Sequence, residues 1–513
     1  MIHTYSGNSA RSATRSALLA VLLCSVSFFT IAANRADAGT VVNFAFSTDP
    51  GLYPAFEPSI TDYVVRCMDE DVDVQVTVPD GYEASVNGEP GHQENFATVA
   101  PMDEGKSFSV SFVDLDDAIG QTYYVRCLPD SFPAFTSERL GTPEAEYYVV
   151  NPLYPGLVQP STPVQTQYVA MFTKDGVPIW WQAINEKTTN GTILANGDMA
   201  YIRLGTGVIK QFRLNGEQVR EFAQNVDLHE LILLPNGNYL IGEYKPLCCY
   251  DLTEWGGPAQ GTVEDNVIME VTPDGTVVWE WSTAEHVPLS QTSPNWKANV
   301  TSLGNQNGRG YDNYHWNSAD MVGDNVVISF RHLDAVYEFN KTTGAINWKL
   351  GGTQESYSLT PVNDPVFTAG SNFGGQHDAR YWTDGSVTIH DNSQADTQTR
   401  PGPPRIVRYA LDRNAKTATM VEQVTDSATP VTSAFCCGSA RKLPGGNWVA
   451  GWGFNRTVAE YGPGPTGDRK TLIQWSDAGY FNYRAEAILP GVFSRARLRT
   501  EMNSQYARNH QPG

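Results

Sequence analysis

Hydrophobic and polar residues alternate in short runs between residues 39 and 150, as in Tyr63-Val64-Val65, Val74-Gln75-Val76-Thr77-Val78 and Phe108-Ser109-Val110-Ser111-Phe112. Such alternation marks half-buried strands, and no helical stripe of useful length interrupts it. Tyr63-Val64-Val65-Arg66-Cys67 and Tyr124-Val125-Arg126-Cys127 are near copies, each closing on a cysteine. The pattern predicts a small N-terminal β-sandwich over 39–150, with Cys67–Cys127 as the preferred staple.

From residue 151 the chain repeats itself. A polar turn between strands recurs with its glycine at Gly197, Gly237, Gly323, Gly385 and Gly445. The Asn-Gly and Asp-Gly steps among these turns permit the positive φ that tight hairpins demand. A tryptophan also follows a turn glycine by four residues at Trp180, Trp279 and Trp348, which suits outer strands whose aromatics fill the gaps between sheets. A two-hairpin unit repeated in this way predicts a β-propeller over 151–513, an all-β fold with the sandwich preceding it. Six blades fit best, and five or seven also fit, because the segments 245–265 and 353–376 read as loop insertions. The closing blade is expected to combine 168–172 and 179–182 with the tail at 487–498.

Residues 1–38 read as an address. Arg11 and Arg15 precede an apolar stretch at 17–33, and Ala36-Asp37-Ala38 is a small-x-small cleavage signal. Cleavage near Ala38 predicts a secreted or periplasmic product without stable membrane association. The whole chain carries 56 acidic and 35 basic side chains, a formal charge of −21. That balance argues against nucleic acid, whose binders need a cationic surface. Six of the seven cysteines follow the cleavage signal. An even count in an oxidising compartment reads as disulfides, and the adjacent pairs Cys248-Cys249 and Cys436-Cys437 lack zinc-motif spacing. For these four, a bridge across one face and vicinal bridges within each pair compete.

Counting eight residues back from each turn glycine gives Thr189, His229, His315, His377 and Cys437. Three of these five positions are histidine in a chain with nine histidines, so independent structural uses are a poor explanation. The register starts the innermost strand, so these side chains should converge where the central channel opens. Sixteen residues beyond His315 lies Arg331, and the same offset from His229 gives Lys245. Imidazoles with cations in an acidic protein predict a site for a small anion. His286, His332 and His390 lie off the register and are assigned structural roles.

The stretches His229-Glu230-Leu231-Ile232-Leu233-Leu234-Pro235-Asn236-Gly237-Asn238, His315-Trp316-Asn317-Ser318, Gln376-His377-Asp378-Ala379-Arg380 and Trp348-Lys349-Leu350-Gly351-Gly352 resemble the bacterial arylsulfotransferases. The match covers about residues 165–490. It implies a six-bladed propeller behind an N-terminal β domain, and sulfuryl transfer between phenols without a nucleotide sulfate donor. By the same resemblance His377 is the histidine transiently sulfated, while His229, His315, Asn317 and Arg331 hold the sulfuryl oxygens. The N-terminal module itself resembles cadherin-like sandwiches of secreted bacterial proteins.

Chemistry gives these residue types an independent rationale. A transferring sulfuryl group, like phosphoryl, passes through a loose state with charge on its peripheral oxygens. It needs positioned donors and one neutral nitrogen in line, which predicts ping-pong transfer from a small phenolic sulfate to a phenolic acceptor. No cofactor is required, and no metal is expected beside an arginine. The competing readings are a propeller lyase or hydrolase using the same histidines, and a non-catalytic propeller binding a polyanion.

Overall fold

The alternating N-terminal runs form two facing sheets. In the computed structural model, which describes residues 44–510 except 155, 158, 160, 223–224, 304–309, 395–401, 427–433 and 478, the chain is mostly β. The expected leader lies outside the described residues. Val72–Thr77 buries Val72, Val74 and Val76 and exposes the residues between them. It is the middle strand of a three-stranded sheet with Ala45–Asp49 and Phe96–Ala100. Opposite lies a four-stranded sheet ordered Asp62–Val65, Gly120–Cys127, Ser107–Asp114, Tyr82–Val86. Phe46 of the first sheet meets Tyr63 and Tyr123 of the second, each with ring centroids 5.8 Å apart. The two near-copy strands pair in parallel, and a disulfide joins Cys67 to Cys127.

Beyond them, the described residues form six four-stranded antiparallel units, and the arrangement is propeller-like. One edge strand of each unit faces the centre: Thr188–Ile193, Ile232–Leu233, Trp316–Val322, His377–Tyr381, Ser439–Lys442 and Phe481–Ile488. Hydrogen bonds tie these strands to one another. Ala379 N donates to Ser318 Oγ and Ala440 N to Asp378 Oδ2, both at 2.9 Å, and Ser439 Oγ donates to Ala485 O at 3.0 Å. Thr192 Oγ1 reaches Glu486 at 2.8 Å. Trp180, Trp279 and Trp348 lie on the strands farthest from the centre. The Trp180 indole donates to Leu214 O of the neighbouring unit at 2.8 Å.

Several expectations need correction. The strand Tyr147–Leu153 crosses the boundary drawn at residue 150, pairing with Gln167–Thr173 and Phe481–Ile488. Phe135–Arg139 adds a fifth strand to the unit containing Arg469–Trp475. The closing strand is therefore Phe481–Ile488, not 487–498. Arg495–Asn509 is a helix that Ser494 caps by accepting from Arg497 N at 3.1 Å. Its buried residues Leu498, Met502 and Gln505 follow the helical spacing of four and three, which strand alternation does not produce. The insertion at 245–265 is a long hairpin of Tyr239–Tyr250 and Gly261–Val271 rather than a loop. The one at 353–376 contains Ser358–Val362, a strand pairing in parallel with both neighbouring units.

The inner strands, with Glu230 just ahead of Ile232–Leu233, carry buried charges that pair across the centre. Glu230 Oε2 accepts from Arg380 Nη2 at 2.6 Å, and Glu230 Oε1 from Arg484 Nη1 at 3.1 Å. Asp378 lies 3.0 Å from Arg380, 3.1 Å from Arg441 and 3.2 Å from Arg484. The three arginines hold the Asp378 carboxyl well below its ordinary range against the opposing effect of burial. Glu486, at 3.4 Å from Arg441, balances the set. Neutralising one member of a buried ion cluster leaves an uncompensated charge. Glu230→Gln should therefore cost about 3–5 kcal/mol of unfolding free energy. Urea denaturation measures this, and Glu230→Met combined with Arg484→Met should lose less than the sum of the single changes.

Candidate active site

Each inner strand opens on one face of the ring, and three of those openings carry the registered histidines. His229 precedes Ile232–Leu233, His315 precedes Trp316–Val322, and His377 begins its own strand. His229 and His315 meet with ring centroids 5.2 Å apart. Tyr483, from the closing strand, stands 5.8 Å from His229 and 6.5 Å from His377, so its ring links the two. Arg331 follows Asn325–Phe330, and its backbone N donates to His315 O at 2.8 Å. The Arg331 charge also acts on both His315 and His377. Asn317, fully buried, donates Nδ2 to Gln376 O at 2.7 Å. The structure thus brings His229, His315, His377, Arg331 and Asn317 together from three of the four-stranded units.

Each histidine is oriented by a partner on Nδ1. His229 Nδ1 bonds Asp227 Oδ1, and His315 Nδ1 lies 2.5 Å from Asp312 Oδ2. His377 Nδ1 lies 2.9 Å from both Gly375 O and Asn392 Oδ1. A carbonyl can only accept, so His377 carries its proton on Nδ1 and presents a lone pair at Nε2. That nitrogen accepts from Cys437 N at 3.0 Å. Burial lowers the His377 pKa well below the ordinary range, and Arg331 adds to the shift. His315 shifts the same way from burial first and Arg331 second, although its side chain keeps 24% exposure. Both shifts favour the neutral imidazole.

The register contains one misalignment. In the turn at 443–447 it is Gly446 N that donates to Leu443 O, at 3.0 Å, just as Gly237 N donates to Leu234 O at 2.9 Å. Gly446 also has the left-handed φ of 109°. Eight residues back from Gly446 is Gly438, so Gly438 occupies the histidine position and Cys437 precedes it. A Cβ at Gly438 would meet the His390 ring at 2.6 Å, which explains the glycine. Lys245 is also misplaced by the offset: it pairs with Glu280 at 2.9 Å away from the cluster. Side chains alternate along a strand, so its neighbour Tyr244 faces inward, 6.0 Å from His229 and 6.2 Å from His315.

Other members were missed in the sequence. His332, assigned a structural role, packs 4.6 Å from His315, and its Nε2 accepts from Arg331 Nη1 at 3.1 Å. Its Nδ1 donates to Asp312 O at 2.6 Å, and burial pushes its pKa down to about 3. Trp296 lies under the Arg331 guanidinium at 4.1 Å. His390 stands behind His377, with Asn392 bonding both, whereas His286 stacks on Trp281 at 4.7 Å. The short Asp227-x-His229 and Asp312-x-x-His315 spacings are visible in the sequence but are too common to signal a site.

The cysteines adopt neither single scheme throughout. Cys248 and Cys249 form a vicinal disulfide, so the cross-face bridge to 436 or 437 is not made. Cys436 and Cys437 are free thiols with sulfurs 2.6 Å apart. Among the described residues, Asp312, His315 and His332 have donor atoms within 4.8 Å of one another and could hold a metal ion. A divalent cation there would sit against the Arg331 guanidinium, which opposes it by charge. At the opposite end of the channel the far ends of the inner strands line a recess of about 150 Å³, with Arg380, Arg441 and Glu486 in its wall.

Buried neutral histidines couple stability to pH. An unfolded histidine takes up a proton near pH 6.5, while the folded His332 does so at about 3. The unfolded chain therefore binds more protons between these values. Stability is full above about pH 6.5 and falls with acidification, by up to about 1.4 kcal/mol per pH unit for each such histidine. Urea midpoints at pH 7 and pH 5 should show this loss, and His332→Gln should reduce the slope.

The profile of the family described as Arylsulfotransferase (ASST) matches residues 204–464, just over half of the chain, and spans His229, His315, Asn317, Arg331 and His377. No curated protein matches the chain. Similar solved structures include a protein of unknown function from Bacteroides caccae, at 10% identity over 66% of this chain and 98% of that one with a TM-score of 0.39. A virginiamycin B lyase from Staphylococcus aureus is 9% identical over 66% and 99%, with a TM-score of 0.34. The β-propeller domain of Cps50 (Swd1) from Myceliophteria thermophila is 10% identical over 67% and 89%, with a TM-score of 0.34. The profile match over half the chain, on the segment that carries the histidine cluster, places this protein in the arylsulfotransferase (ASST) family.

Proposed function

We propose that the protein is an exported aryl-sulfate sulfotransferase that carries the sulfuryl group on His377. The six four-stranded units are read as the blades of a propeller, the two N-terminal sheets as a sandwich, and residues 1–38 as a cleaved leader. The observation that carries the proposal is the state of His377: Nδ1 is engaged by Gly375 O and Asn392 Oδ1, so the neutral ring offers Nε2 as a nucleophile. An imidazole held in that tautomer is ready to attack an electrophilic sulfur without first losing a proton.

In this reading Nε2 of His377 attacks the sulfur of a phenolic sulfate in line with the departing phenolate. The S–O bond to the phenol breaks as the N–S bond forms. Arg331 and Asn317 stabilise the charge on the peripheral oxygens. The phenolate leaves as the anion and takes its proton from solvent; His315 or His229, each with a carboxylate on Nδ1, is suited to take the proton of the acceptor phenol and return it to solvent. The acceptor oxygen then attacks sulfur and frees His377. The rings of Tyr244 and Tyr483 beside the imidazoles suit an aromatic substrate. A second reading, a metal-dependent lyase, draws on the Asp312, His315 and His332 group; it requires activity lost to EDTA and restored by a divalent cation.

Incubation with 4-nitrophenyl sulfate should add ~80 Da, one sulfuryl group, to the intact protein, on the peptide containing His377. His377→Ala should lose both the adduct and 4-nitrophenol release, while Arg331→Met should cut turnover by about 10²–10³, the loss expected for an oxyanion donor. Turnover by His377→Ala, or turnover without any adduct, rules out the sulfohistidine route.

A further inference from the structure

Asp334 closes the turn that carries Arg331. Arg331–Leu333 is one 3₁₀ turn, and Asp334 ends it at a φ of 47°, its N donating to Arg331 O at 3.2 Å. Glycine takes that left-handed conformation readily, and asparagine and aspartate are the residues with side chains that tolerate it best. The aspartate here is fully buried, and four donors converge on its carboxylate. Oδ2 accepts from Ser293 Oγ at 2.6 Å and from Asn295 Nδ2 at 2.8 Å. Oδ1 accepts from Trp296 Nε1 at 2.8 Å and from Gly375 N at 3.1 Å. Three of these donors belong to the segment that follows Val277–Ser282, and the fourth to the loop ahead of His377–Tyr381. One carboxylate therefore joins parts of the chain that are distant in sequence.

Both donors on Oδ1 touch the proposed machinery. Trp296, also fully buried, lays its ring under the Arg331 guanidinium at 4.1 Å and stacks on His332 at 5.2 Å. Its indole N–H on Asp334 fixes the orientation of that ring. Gly375 serves the other partner, because its carbonyl oxygen lies 2.9 Å from His377 Nδ1, a contact that sets the tautomer. Two neighbours fix the place of Gly375. Asp334 holds its N–H, and Trp296 closes on its Cα: a Cβ there would lie 2.7 Å from Trp296 Cζ2 and 3.4 Å from Arg331 Cγ. The same oxygen of Asp334 thus supports the cation and the nucleophile at once.

We propose that Asp334 is the positioning residue of the cluster: through Trp296 it holds the Arg331 guanidinium, and through Gly375 it holds the His377 imidazole, so that both meet one sulfuryl group. The inference rests on the sulfotransferase reading above for its catalytic consequence. A guanidinium and an attacking nitrogen that act on the same transferring group contribute only at fixed spacing, and a displacement of about 1 Å costs roughly 10²-fold in rate. The two sides of the carboxylate differ in what they tolerate. Asn295 can turn its amide and Ser293 Oγ can accept as well as donate, whereas Trp296 Nε1 and Gly375 N only donate. An asparagine at 334 keeps the Oδ1 side by aiming its oxygen there. A glycine keeps the left-handed backbone and loses both sides.

The test compares full-length wild type, Asp334→Gly and Asp334→Asn with 4-nitrophenyl sulfate. Asp334→Gly should form the ~80 Da adduct about 10²-fold more slowly yet reach the wild-type stoichiometry. Stoichiometry counts folded sites, so a merely structural lesion would lower it and leave the rate constant alone. Asp334→Asn should recover at least about tenfold of the lost rate, because the Oδ1 side survives. In NMR spectra of isotope-labelled histidine, His377 should carry its proton on Nδ1 in wild type and Asp334→Asn, and become a mixture of tautomers in Asp334→Gly. Should Asp334→Gly not fold, Trp296→Phe removes one Oδ1 donor and keeps a ring under the guanidinium. It should slow adduct formation about fivefold, the factor for one hydrogen bond. A wild-type rate constant in folded Asp334→Gly, or in Trp296→Phe where the glycine variant does not fold, would overturn the proposal. So would Asp334→Asn no faster than Asp334→Gly. If wild type takes up no sulfuryl group, the sulfotransferase reading falls and the tautomer spectra alone decide whether Asp334 places His377, an unchanged signal in Asp334→Gly ending the proposal too.

Discussion

The arrangement depends on charges buried at the centre of the ring. Glu230, Asp378 and Glu486 face Arg380, Arg441 and Arg484, and these residues come from four different sheets. Ion pairs taken out of water contribute little net stability, because desolvation offsets their attraction. Their effect is on specificity of arrangement: each carboxylate is satisfied only when strands far apart in sequence arrive in one register. A shifted inner strand would strand a charge in the interior, and that penalty selects one relative placement of the sheets.

The same network separates two kinds of environment along the channel. The strand His377–Tyr381 shows this in adjacent residues, since His377 is a neutral imidazole and Asp378 a carboxylate held ionised by three arginines. Both are buried. The difference lies in their partners, because His377 has a carbonyl and an amide oxygen on Nδ1, while Asp378 has guanidinium groups. Side-chain alternation, with a bulge in this strand, sends the two residues to different neighbours. Neutral imidazoles close to a guanidinium provide a place where an anion can be bound and a nitrogen can still attack.

Much of this was legible from short-range pattern. Alternating runs such as Val72–Thr77 and the Gly-containing turns at Gly197, Gly237 and Gly385 are local signals, since strand alternation and positive φ are set by neighbouring atoms. The histidine register followed from the turns, and it located His229, His315 and His377 because a repeated unit puts equal offsets at equivalent heights. It failed where local geometry shifted by one residue: at Gly446 in place of Gly445, and at Tyr244 in place of Lys245. The helix at Arg495–Asn509 was also missed, its stripe of Leu498, Met502 and Gln505 being sparse among polar residues.

The sequence by itself determined the strand grammar, the repeat, the family and the residue types of the cluster, because each is written in contiguous segments. Only the tertiary structure decided which side chains surround them. Tyr483 linking His229 to His377, Asn317 on Gln376 O, Tyr244 against His315 and the Cys437 amide on His377 Nε2 are contacts across sheets or loops. Their existence depends on how the whole ring closes, and no local rule carries that information. The Glu230–Arg484 pair, 254 residues apart in sequence, is the plainest case.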